Sequence, residues 1–126
     1  MPTVTADPVA LQRVFETLNP LLADHAGEMI VVQDAPGTYY LNTNAIAANG
    51  QPLAFGGVEI KKNYVSFHVF PVYMYPELLE GIGDLNKRME GKSCFSFRKI
   101  DDAQVEGLRS LVAAGHDRFR KEGLLG

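Results

Sequence analysis

Cysteine is almost absent from this chain. Its 126 residues include one, Cys94, so no disulfide can form within it. No cysteine and histidine set has the spacing of zinc ligands, and His25, His68 and His116 stand far apart. Such sparing cysteine usage fits a reducing compartment. A basic excess is missing too: 12 Lys and Arg face 15 Asp and Glu, for a net charge of −3. A dedicated nucleic-acid surface needs the opposite balance or a basic stripe. The one basic run, Arg118-Phe119-Arg120-Lys121, is placed to complement the carbonyl end of a helix. No apolar stretch approaches the roughly 18 residues that cross a membrane. The start, Met-Pro-Thr-Val-Thr-Ala-Asp-Pro, lacks the basic-then-apolar order of a signal peptide. The expectation is a cytoplasmic protein with neither nucleic acid nor membrane as partner.

Repeats, low-complexity tracts and linkers are also lacking, which predicts a single domain over residues 1–126, frayed at 1–6. A chain this long buries a core without metal or disulfide staples. Its 46% hydrophobic and 21% charged residues are the balance of a folded chain. Catalytic signatures are absent as well: there is no glycine-rich phosphate loop and no Gly-x-Ser-x-Gly elbow. Ser96-Phe97-Arg98-Lys99 spells Ser-x-x-Lys, but that chemistry needs the two side chains one helical turn apart. The segment reads as a strand, where they face opposite sides.

What is present is a clear succession of elements. Asp7-Pro8 reads as a cap and first helical position, and Leu11, Val14, Phe15, Leu18 and Leu22 recur at helical spacing. Asn19-Pro20 either kinks this helix or caps a second short one. Strands follow at Met29–Val32 and Thr38–Thr43, joined by an Asp34-Ala35-Pro36-Gly37 turn. A third runs from Leu53 to Ile60, and its Gly56-Gly57 pair signals a bulge or a close backbone approach. Lys61-Lys62-Asn63 turns the chain into a fourth strand, Tyr64–Phe70. Pro76 opens a helix with Leu78, Leu79, Ile82, Leu85 and Met89 on one side and Gly91 as its stop. Ser93–Lys99 is the fifth strand. Asp101 and Gln104 have capping-box spacing before a last helix carrying Val105, Leu108, Leu111, Val112 and Phe119. Asp101, Asp102 and Glu106 could hold a cation, but aspartates at a helix start read first as caps. The predicted class is α+β: a mainly antiparallel five-stranded sheet with helices packed on one face, in the order α-β-β-β-β-α-β-α.

Side chains alternate along a strand, so the two best strands divide into faces. Val65, Phe67 and Val69 share one face with Phe95 and Phe97 in the fifth strand, and these meet the helices. The other face collects Tyr64, Ser66, His68, Phe70, Cys94, Ser96 and Arg98. Each polar member has a plain reading. Free cysteine packs as a small hydrophobe, so Cys94 reads as part of a wall before it reads as a nucleophile. His68 reads as a satisfied or half-exposed residue. Arg98 reads as pairing with a carboxylate or lying over an aromatic ring. The sharper reading is a small-molecule pocket between this face and the Pro71–Tyr75 connection, with Tyr64, Ser66, His68, Tyr73, Cys94, Ser96 and Arg98 as its residues. Aromatic walls, one cation and several hydroxyls suit a polar or anionic ligand. Met74 and the tyrosines read equally as core filling, and the aromatic face as a homodimer contact. A small enzyme using His68 or Cys94 is the less favoured alternative, and no catalytic residue is assigned.

The runs GGVEIKKNYVSFHVFP and GKSCFSFRKIDDAQVEGLRSLV resemble the small YdhG-like family over about residues 51–115. The likeness lies in the strand of Tyr64–Phe70 and in the Gly-Lys-Ser strand leading to the final helix. It implies an intracellular α+β domain. It also implies a possible frataxin-like role in passing iron, so iron is expected from the resemblance alone and no cofactor from the motifs. Hard cations take oxygen ligands. The carboxylates of the first helical segment, Asp7, Glu16, Asp24 and Glu28, are spaced apart among apolar positions.

Overall fold

The computed structural model describes residues 8–80, 82, 85, 89, 90 and 94–125. The expected cap at Asp7 lies outside them, as does the helix stop at Gly91. The first helix, α1, runs Pro8–Ala23. Leu11, Val14, Phe15, Leu18, Leu21 and Leu22 are buried on one side of it. Helix α1 passes through Pro20 without ending, so no second helix starts there. Pro20 is exposed. The leucines on either side anchor the helix to the core, which offsets the hydrogen bond that proline cannot donate.

After a single 3-10 turn at Ala26–Glu28, four strands follow: β1 Ile30–Ala35, β2 Thr38–Ile46, β3 Pro52–Ile60 and β4 Val65–Val69. The last long strand, β6, is Cys94–Phe97, and a two-residue strand, β5 (Met89–Glu90), flanks it. Every pairing is antiparallel, and the sheet order is β1-β2-β3-β4-β6-β5. The five expected strands are therefore all present, with β5 added at the edge. The turns follow from backbone chemistry. Gly37 and Gly50 sit at φ 81° and 82°, a backbone conformation that residues with a side chain rarely adopt.

The glycines Gly56 and Gly57 in β3 serve both expected ends. The β2–β3 register slips between Leu41 and Asn42, which face Gly56 and Ala54. A Cβ on Gly56 would stand 2.6 Å from the His68 carbonyl oxygen, and one on Gly57 only 2.5 Å from Cδ2 of Tyr40.

The segment after β4 departs from expectation. One helical turn, α2, forms at Pro71–Met74, and a 3-10 turn follows at Pro76–Leu79. Glu80 is already extended, and Met89 belongs to β5, so no single helix runs from Pro76 to Met89. Two prolines explain the split. Pro71 opens a helix because its missing N–H falls where no bond is made. Pro76 then excludes helical geometry from the residue before it. Tyr75 accordingly sits at φ −129°, ψ 74°.

The last helix, α3, spans Asp102–Lys121, and its capping box is complete. Gln104 N donates to Asp101 Oδ1 at 2.7 Å, and Asp101 N donates to Gln104 Oε1 at 3.0 Å. Helix α1 packs on β3, β4 and α3. Val65, Phe67, Val69, Phe95 and Phe97 are buried under this helical layer with Leu108, Leu111, Val112 and Phe119. Arg118 pairs with Glu77 at 3.0 Å and lies 4.1 Å over the Tyr75 ring, so the basic end of α3 also clamps the 3-10 turn. Among the described residues no helix is long and apolar enough to cross a membrane.

Candidate functional site

The helices leave one sheet face open, and strand register sets what it displays. Tyr40 pairs with Gly57, Gly57 with His68, and His68 with Cys94. The neighbouring row runs Thr38, Glu59, Ser66, Ser96. The alternation read from β4 and β6 therefore places Ser66, His68, Cys94 and Ser96 together, as expected. Residues of the first row point one way because each is two positions from its strand neighbours on that face.

The seven anticipated residues fall into two groups. Tyr64, Ser96 and Arg98 line a groove of about 690 Å³, together with Lys99, Ile100, Asp101 and Gln104. Ligand sites commonly occupy about 300–1,000 Å³. Ser66 and His68 border a smaller hollow of about 130 Å³ with Tyr40, Gly57 and the Glu59–Lys61 ion pair. Cys94 stands on the other side of His68. Tyr73 joins through Phe70: the Phe70 ring lies 5.8 Å from His68 and stacks on Tyr73 at 5.3 Å.

Several side chains depart from their plain readings. Tyr73 and Met74 are 49% and 39% exposed, so they do not fill the core, and Val72 does so in their place. Pro71 turns the chain at the strand end and sends Val72 inward while its two successors point out. Arg98 is exposed, and among the described residues it has neither a carboxylate partner nor an aromatic ring beneath it. Asp101 shares its groove, but that carboxylate is already bonded to the start of α3. The guanidinium of Arg98 and the ammonium of Lys99 thus outweigh it, and the groove favours negative charge.

The second group is built around one contact. His68 Nδ1 lies 3.1 Å from Cys94 Sγ. Both residues are half-buried. Burial pushes the His68 pKa below its ordinary value of 6.5, so the imidazole is neutral at pH 7. A neutral ring either accepts the thiol proton at Nδ1 or donates N–H to sulfur, according to its tautomer. Burial first, and the charge of Cys94 second, push the Tyr40 phenol above its ordinary pKa, which keeps its proton in place. Cys94 is therefore more than a wall residue: it has a hydrogen-bonding partner on the same face.

Sequence reading missed Tyr40, Lys99 and Gln104. Tyr40 had a signal, since paired glycines in a strand announce that something large crosses over them. Gln104 was legible only as a cap. Outside this face, His25 and His116 come within 4.6 Å, ring centroid to centroid, although 91 positions separate them in the chain. Among the described residues no three His, Cys, Asp or Glu side chains form a group able to hold a metal ion.

No family model matches the chain, and neither a curated protein nor a solved structure matches it.

Proposed function

We propose that this is a small-ligand-binding domain of the YdhG-like type, and that its ligand carries a negative charge. The observation that supports the reading is the groove of about 690 Å³ on the open sheet face. Tyr64 reaches it from just before β4, Ser96 from β6 and Arg98 from the residue after β6, and Lys99 adds a second cation. Hydroxyls and a guanidinium are the groups that orient a carboxylate or phosphate. The Asp101–Gln104 box holds one end of the groove rigid, so little side-chain order is lost when a ligand enters. Ile100 supplies an apolar contact at the same end.

The test is a titration followed by amide chemical shifts, with inorganic phosphate and benzoate as probes. Saturable shifts are expected at Tyr64, Ser96 and Arg98. Arg98→Gln is expected to weaken them by about tenfold, the worth of one charge-assisted hydrogen bond. Equal response of wild type and Arg98→Gln, or shifts confined to another surface, refutes the reading. An iron titration run beside it addresses the role that the family resemblance implies: saturable shifts clustered on carboxylate-bearing residues would support it.

A further inference from the structure

The groove leaves the other half of the open face unexplained. There a thiol and an imidazole face each other at 3.1 Å across β4 and β6. A cysteine that only fills volume needs no such partner. A nucleophilic one does, because the thiolate is the reactive form and a base within hydrogen-bond reach supplies it.

His68 is suited to the role of base on three counts. Its ring is neutral, so in the tautomer that leaves Nδ1 unprotonated a lone pair faces the thiol proton. It is also held still. Strand β4 lies between β3 and β6, and Phe70 packs beside the ring. Finally, it is reached by solvent: the hollow of about 130 Å³ opens on it beside Tyr40 and Gly57. That hollow keeps its shape because residue 57 lacks a side chain, which lets the Tyr40 ring lie over the strand. Tyr40 then stands as a protonated phenol on the row that holds the pair.

We propose that Cys94 and His68 are a nucleophile and its base, and that they add the thiol to a small α,β-unsaturated carbonyl compound. The proposal is independent of the groove at Arg98. Sulfur bonds to the β-carbon as the thiol proton passes to Nδ1 of His68. The π electrons shift toward the carbonyl oxygen, giving an enolate. The proton on His68 then returns to the α-carbon. Atoms and electrons balance without an oxidant or a leaving group. Acyl transfer fits less well, because it calls for backbone N–H groups aimed at an oxyanion. The amides of β4 lie between β3 and β6, and those strands take them up.

The test uses N-ethylmaleimide, an unsaturated carbonyl electrophile, on the whole chain. Cys94 is the sole cysteine, so intact mass reports one site. The folded protein is expected to react about tenfold or more faster than the same chain unfolded in urea at equal pH. His68→Gln is expected to remove that advantage. The folded wild type is also expected to react more slowly in deuterium oxide, and His68→Gln to lose this sensitivity, which loss of packing alone would not produce. A folded chain that reacts no faster than the unfolded one overturns the proposal, and so does His68→Gln reacting as fast as wild type. Should His68→Gln fail to fold, the wild-type comparison and its isotope effect decide the matter on their own.

Discussion

Placing alanine at Gly57 tests the packing that gives the open face its form. A Cβ there stands 2.5 Å from Tyr40 Cδ2 and 3.1 Å from Cε2. Carbon atoms rest at about 3.5–4.0 Å, so the ring must retreat by about 1 Å. Overpacking of this kind costs about 1–3 kcal/mol. Alanine recovers about 0.5–1 kcal/mol of the entropy that glycine loses in a strand. The net expectation for Gly57→Ala is a destabilisation of about 0–2.5 kcal/mol. For a chain of this size that is a fall in Tm of up to about 10 °C. The decisive measurement is a double-mutant cycle by urea denaturation. With Tyr40→Ala in place the ring is gone and the Tyr39 carbonyl oxygen, 3.2 Å from the added Cβ, is the close contact that stays, so Gly57→Ala should become near neutral, a coupling of about 1–3 kcal/mol. Gly56→Ala is the control. Its Cβ meets the His68 carbonyl oxygen at 2.6 Å, and a central strand cannot move aside, so truncating Tyr40 should not relieve it. If Gly57→Ala costs the same with and without the Tyr40 ring, the ring does not lie over the glycine and the reasoning fails.

Two further outcomes are expected. Burial lowers the folded pKa of His68, so below pH 6.5 the unfolded chain binds the extra proton. Stability should be constant from this source above pH 6.5 and fall as pH drops toward the folded value. Urea midpoints at pH 7.5 and 5.0 measure it, and His68→Gln should show a smaller drop; an equal drop would remove His68 as the cause. Asp101→Ala deletes the cap of α3 and should cost about 1 kcal/mol, read as a lower urea midpoint with an unchanged slope, while Asp102→Ala, which accepts no capping bond, should cost less.

The elements themselves were legible where local chemistry decides them. Alternation in Tyr64–Phe70 and Ser93–Lys99 separates core from open face, because strand side chains have a period of two whatever the partner. Asp101 and Gln104 read correctly as a capping box because the motif closes within one turn. The helix expected from Pro76 was misplaced. Its apolar spacing looked helical, but Pro71 captured the first turn and Pro76 broke the chain at Tyr75.

The sequence by itself determined the α+β class, the antiparallel hairpins and the residues of each face, since hydrophobic period, turn glycines and caps act over a few positions. Only the tertiary structure decided how those faces combine. Register between β4 and β6, which 24 intervening residues separate in the chain, brings Cys94 to His68. The approach of β2 lays Tyr40 over Gly57, and the start of α3 turns Arg98 and Tyr64 into two sides of one groove. These are long-range distances, set by which surfaces the core buries together, and no local pattern encodes them.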